Sequence, residues 1–188
     1  MTQFVKKELS FGFVIISPEH NIGRLQGTVR SIRNHYRNDQ SIICVTDKDC
    51  TAAELKEMKA VCPTYRGKGT ITSLLNTGIK KGHKEWNIFV MEGTWVQGGI
   101  NNKYSTWMEN EKDVFFPIVM DYNREMMPVK IYSTFEECTL NGLCIHQKWF
   151  KEIGDFSENP LEVSKKFWQW EALEKGGKFK AVLGAKIL

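Results

Sequence analysis

Three successive pairings of an apolar strand pattern with an amphipathic helix pattern, followed by a fourth apolar strand, restrict this chain to a small group of folds. Phe11-Gly12-Phe13-Val14-Ile15-Ile16 is an unbroken apolar, β-branched run, as expected of a strand covered on both faces. Leu25, Val29, Ile32 and Tyr36 then recur at helical spacing. A second strand, Ser41 to Thr46, ends at Asp47, and Thr51-Ala52-Ala53-Glu54 has the form of a capping box that opens a helix carrying Leu55 and Met58. Cys62 to Gly69 reads as loop or short strand. Ile71, Leu74, Leu75, Gly78 and Ile79 mark a third helix stopped at Gly82, and Trp86 to Met91 is the fourth strand. Such alternation predicts an α/β, Rossmann-like parallel sheet with helices on both faces.

The second half is less regular. It predicts a helix near Tyr104 to Met108 and a strand over Val114 to Met120, in which Pro117 favours an edge or a bulge. An irregular stretch runs to about Asn141. Asn159-Pro160-Leu161-Glu162 supplies an N-cap, a first-turn Pro and an acid for a helix ending at Gly176-Gly177, and Phe179 to Leu183 reads as a closing strand. At 188 residues and 41% hydrophobic content the chain can bury one sizeable core, so a single domain over 1–188 is expected.

Composition excludes several function classes. The 26 basic residues stand interspersed with 22 acidic ones, without the dense basic runs of a dedicated nucleic-acid binder. No apolar run is long enough for a membrane span, and Met1 to Lys7 leads into no signal-peptide core, so a cytoplasmic protein is expected. Cys44, Cys50, Cys62, Cys138 and Cys144 form an odd set without C-x-x-C spacing and are expected to be reduced, mostly buried thiols. His83 and His146 fit neither a metal spacing nor a catalytic triad. The chain has no G-x-G-x-x-G after its first strand and no G-x-x-x-x-G-K-S/T, so a ligand at the carboxyl edge of the sheet must be held in another way.

Three parts of the chain carry a family resemblance. Asn76-x-Gly78-Ile79, a basic stretch and the Trp86 to Met91 strand ending in Glu92-Gly93-Thr94 resemble the middle of a GT-A glycosyltransferase of the family-2, inverting, nucleotide-sugar-dependent kind, with Glu-Gly-Thr in place of that family's Asp-x-Asp. Gly142 to Glu158 is similar to the family's later strand, basic-aromatic helix and Gly-x-Phe-x-Glu turn. The first strand with its Pro18 loop, the Leu25 to Tyr36 helix and Ile43 to Asp47 are similar to its N-terminal pattern. The resemblance implies a small GT-A catalytic domain with a mixed, mainly parallel sheet, short of acceptor-binding elements.

It also implies roles. Asp47 would accept hydrogen bonds from the base or ribose of a nucleotide-diphosphate sugar, a UDP-sugar, and Ser17, Pro18 and Glu19 would wall the base. Arg66 and Lys68 would lie near the nucleotide. Glu92 would face the diphosphate and, with Thr94, hold Mn²⁺ or Mg²⁺, more weakly than two carboxylates would. Glu162, with Glu158 and Asp155 as rivals, would be the base that deprotonates a hydroxyl acceptor, or water. Trp95, Trp107, Trp168 and Trp170 could stack on sugars, although core packing is the expectation for most of them. Two alternatives stand beside this reading. One is a non-catalytic module of the same fold that binds a nucleotide sugar or a partner. The other is a nucleotidyltransferase, for which Ser17 to Asn21 lacks the expected Gly-rich basic loop.

Overall fold

The computed structural model describes residues 10–36, 41–122 and 128–183. The N-terminal segment read for a signal peptide lies outside them. β1 (Phe11–Ser17), α1 (Ile22–His35), β2 (Ser41–Thr46), α2 (Ala52–Val61), β3 (Thr64–Arg66), α3 (Ile71–Lys81) and β4 (Trp86–Met91) form the alternating half. After α4 (Ile100–Trp107) come β5 (Asp113–Pro117), β6 (Val119–Tyr122), β7 (Pro128–Tyr132), β8 (Cys144–His146), α5 (Gln147–Ile153), α6 (Leu161–Glu174) and β9 (Lys178–Val182).

Seven strands form one sheet in the order β3-β2-β1-β4-β8-β5-β9, and β6 and β7 form a separate antiparallel hairpin. β1 is parallel to both β2 and β4, whereas β8 runs antiparallel between β4 and β5. The chain leaves β1 toward β2 but leaves β4 toward the other side of the sheet. That reversal opens a crevice at the carboxyl ends of β1 and β4, the usual ligand position in such sheets.

The unbroken apolar run of β1 has the expected consequence. Phe13 and Ile15 pack with Leu25, Val29 and Ile32 of α1 on one face of the sheet, while Val14 and Ile16 pack with Leu74, Leu75 and Ile79 of α3 on the other. Gly78 is where α3 approaches β1 most closely, since a Cβ there would stand 2.4 Å from Val14 Cγ1. Gly82 ends α3 but not through left-handed backbone, its φ being −60°. Glycine is required there because a Cβ would meet the Asn87 side chain.

Several expectations for the second half need correction. The stretch before Asn141, expected to be irregular, contains β7, which pairs with β6. Pro117 lies neither on an edge strand nor in a bulge. It is the last residue of β5, beyond Phe115, where pairing with β8 stops, so no β8 carbonyl awaits its missing N–H. α6 begins one residue later than expected, with Pro160 at the cap position, and Ser164 Oγ donates back to the carbonyls of Ser157 and Asn159. Trp168 is core, but Trp95, Trp107 and Trp170 are exposed rather than packed. The five cysteines are free and buried, as expected. No helix among the described residues is long and apolar enough to cross a membrane.

Candidate functional site

Four strand ends converge at the carboxyl edge and bring Ser17, Asp47, Arg66 and Glu92 to one region. Ser17 and Thr46 are register partners at the ends of β1 and β2, as are Thr46 and Arg66 at the ends of β2 and β3. Glu92 directly follows β4, and its amide donates to Ile16 O at 2.9 Å.

The Glu92 carboxylate is only 8% exposed and bridges the crevice. Its Oε2 accepts from Ser17 Oγ at 2.5 Å and from the Asn21 amide at 3.2 Å, and its Oε1 accepts from the Glu19 amide at 2.9 Å. A loop carrying Pro18 and the αN-capping Asn21 has few local ways to satisfy its amides, and this carboxylate satisfies two of them. The Glu19 side chain points away to an exposed ion pair with Arg24. Thr94 is also engaged, donating to Asn141 Oδ1 at 3.0 Å, while the same oxygen accepts from the Met91 amide at 2.7 Å. Glu92 and Thr94 already hold the flanking loops: three of the roughly four lone-pair positions of the Glu92 carboxylate are taken, whereas the Thr94 hydroxyl gives its proton to Asn141 and keeps its own lone pairs, so a divalent cation here would meet one spare carboxylate position and one neutral hydroxyl rather than a carboxylate pair.

Asp47 lies at the end of β2. Its Oδ1 accepts from the amides of Asp49 and Cys50 at 2.8 and 3.2 Å and contacts His20 Nε2 at 2.8 Å. Oδ2 has no partner among the described residues and is free to receive a ligand donor. His20 reaches this position with φ +55°, an uncommon backbone conformation for a residue with a side chain. Arg66 donates from Nη2 to Cys50 O at 2.5 Å, and Lys68 is exposed in the loop ahead of α3, its amide donating to Ser73 Oγ. Burial pushes the Cys50 thiol up from its ordinary value.

The three candidate bases lie in the turn between α5 and α6 and the first turn of α6. Asp155 is ion-paired with Lys80 in the last turn of α3, at the opposite end of that helix from the carboxyl edge. Glu158 and Glu162 are exposed, flanking the start of α6, and Glu162 makes no capping box with Asn159.

Two features were missed in the sequence. Asn76 on α3 forms a reciprocal pair with the backbone of Phe156, accepting from its amide at 2.9 Å and donating to its carbonyl at 2.8 Å. Two of the separated segments that carried the family resemblance, the middle and the later one, are therefore joined in space. The second feature is a polar row on α1 that anchors the loop after β4. Thr28 Oγ1 accepts from Gly93 N, Ser31 Oγ from Val96 N, and Tyr36 Oη from Ile100 N. Burial pushes the Tyr36 phenol up to about 12, so it stays a neutral hydroxyl that can also donate to Gln97 O. Hydroxyl residues at positions 28 and 31, interrupting a helix stripe otherwise apolar at 25, 29 and 32, were the available signal.

No protein-family model matches the sequence, and no curated protein sequence matches it. Among solved structures, two of S. aureus TarS 1–349 superpose on it, one of them in complex with UDP. Each matches with a TM-score of 0.63 and 11% identity, covering 95% of this chain and 58% of TarS 1–349. The fold is GT-A-like. This chain thus spans somewhat more than half the length of the TarS structures it matches, and at that identity the likeness speaks to fold alone.

Proposed function

We propose that the carboxyl edge of β1, β2 and β4 binds a nucleotide-diphosphate sugar of the UDP class, and that the protein transfers the sugar to a hydroxyl acceptor or to water. The observation that supports this most is the fold match over 95% of the chain to TarS, a glycosyltransferase with a UDP complex among its structures. The unpartnered Asp47 Oδ2 at the end of β2 agrees with it, since a base or ribose donor could bond there while Oδ1 keeps its loop partners. Arg66 at the end of β3 and Lys68 just beyond it would bring positive charge to the same edge for the diphosphate. Glu162 or Glu158 would deprotonate the acceptor in this reading.

A second reading has its own observation behind it. Because Glu92 spends most of its acceptor capacity on the loop before α1 and Thr94 is a neutral ligand, this pair would hold a cation on the diphosphate only weakly, which favours a domain that binds a nucleotide sugar without transferring it. Calorimetric titration with UDP and UDP-glucose, in Mn²⁺ and in EDTA, tests both. Binding of similar strength in the two buffers, weakened in Asp47→Asn, is expected. That variant keeps the Oδ1 acceptor and turns only Oδ2 into a donor. Absence of binding to any nucleotide sugar would refute the donor-site reading. Binding without hydrolysis or transfer would favour the non-catalytic one.

A further inference from the structure

The loops after β1 and β2 and the first turn of α2 bring together one imidazole, one thiol and one carboxylate. We propose that His20, Cys50 and Glu54 form a binding site for a zinc-class transition metal, with Asp47 as the outer carboxylate that orients His20. Their donor atoms lie within 4.8 Å of one another, although His20 is 30 residues from Cys50 in the chain. In a tetrahedral zinc site, bond lengths of about 2.0–2.3 Å place donors roughly 3.3–3.7 Å apart. The donors lie up to 4.8 Å apart and His20 Nδ1 stands 3.9 Å from Glu54 Oε2, so closure asks for movements of roughly 1 Å at the widest pair.

The surroundings suit an ion. A carboxylate can only accept, so His20 Nε2 donates to Asp47 at 2.8 Å, and Nδ1, on the side of Glu54, is the nitrogen left for an ion, the usual carboxylate–histidine–metal relay. A neutral imidazole, a thiolate and a carboxylate together carry two negative charges, which a divalent ion cancels. On binding, the thiol proton passes to solvent and the sulfur takes the metal in its place. The Cys50 thiol has long contacts to Thr51 O at 3.6 Å and Met58 Sδ at 3.8 Å and lies beside the Thr46 hydroxyl. A further sign comes from Thr46, whose fully buried Oγ1 lies where it can hydrogen-bond the Cys50 sulfur and finds no other partner among the described residues. A metal-bound thiolate would accept from it. Glu54 already bonds the Thr51 amide and hydroxyl through Oε2, which fixes the carboxylate in place and leaves Oε1 for the ion. Mixed nitrogen, sulfur and oxygen donors select Zn²⁺ or Co²⁺ over Mg²⁺ and Mn²⁺, so this site differs in kind from any cation on a diphosphate. Its occupation would tie the two loops that border Asp47, and the inference does not depend on a nucleotide binding there.

The test is titration of the full chain, without an affinity tag and without nucleotide, with Co²⁺ and then Zn²⁺. One equivalent of Co²⁺ should give the visible bands of a tetrahedral ion and a near-ultraviolet thiolate charge-transfer band, both displaced by Zn²⁺. Cys50→Ser should lose the charge-transfer band, Asp47→Asn should bind about 10–100-fold more weakly, and His20→Ala should lose the tetrahedral bands. Cys138→Ala, elsewhere in the core, should change nothing. Circular dichroism confirms that each variant is folded, and the loop variant His20→Ala decides the matter if Cys50→Ser is not. A charge-transfer band that survives in Cys50→Ser, tetrahedral bands that survive in His20→Ala, or a wild-type chain giving only an octahedral cobalt spectrum would overturn the proposal.

Discussion

Replacing Glu92 by Ala separates two accounts of an acidic residue at the end of β4. If the carboxylate exists to hold the β1–α1 loop, its loss is felt in stability without any ligand or metal. The fully buried Ser17 hydroxyl would lose its acceptor, at a cost of about 1–3 kcal/mol. The amides of Glu19 and Asn21 would lose theirs too, but the neighbouring Glu19 side chain is exposed and water can reach them, so roughly 0.5–1.5 kcal/mol each is appropriate. The total is about 4 kcal/mol, against the roughly 5–15 kcal/mol that holds a typical domain folded. Glu92→Gln keeps the acceptor facing Glu19 and turns an amide toward Asn21, so about half that loss is expected. Urea unfolding in EDTA reads both, as a lower midpoint at unchanged slope. A cost below about 1 kcal/mol for Glu92→Ala would refute the positioning role and return Glu92 to the ligand side of the crevice.

Other consequences follow from the same contacts. Gly78→Ala forces a Cβ into Val14 and should cost about 1–3 kcal/mol by overpacking, read as a lower melting temperature. Asn76→Ala leaves both backbone groups of Phe156 without their partner and should cost about 2–4 kcal/mol in urea unfolding, whereas an exposed change such as Glu158→Ala should cost almost nothing. Trp168→Ala empties a fully packed site between Phe135, Phe150 and Phe156 and should cost about 3–5 kcal/mol by the same assay. The hydrogen bond from Lys178 to Glu109, helped by Lys180, holds the Glu109 carboxyl below its ordinary value. Its contribution to stability is complete above that ordinary value and is lost as pH falls through the depressed one. Glu109→Gln should therefore lose less stability than wild type between neutral and acid pH, and added salt should narrow the difference.

What the sequence made legible is what short-range pattern encodes. The β1 run implied two covered faces, the Thr51 to Glu54 spacing implied the capping box that α2 has, and the alternation implied the parallel half of the sheet. β8 escaped a reading by pattern alone because three residues are too few to show a period. The β6–β7 hairpin escaped because it lies between segments with no strong turn signal. Exposure of Trp95, Trp107 and Trp170 could not be read either, since a bulky aromatic is compatible with core or surface, and only its neighbours decide.

The candidate site was harder than the fold for a related reason. Residue type and position placed Asp47 and Glu92 at strand ends correctly, but the chemistry of a carboxylate depends on what its oxygens already accept. For Glu92 those donors come from Ser17, Glu19 and Asn21, more than seventy residues earlier in the chain, and no local pattern records them. For Asp47 the donors are two amides within three residues, a turn that spacing could suggest, plus His20 from the neighbouring loop. The two carboxylates thus exchange the emphasis that sequence gives them. Glu92, at the position where the resemblance placed a metal ligand, spends both oxygens on the scaffold, whereas Asp47 keeps one oxygen free at the edge. If the edge binds a donor as proposed, Asp47 is the carboxylate with an oxygen to spare, and experiments on donor binding gain most from the conservative change at that residue.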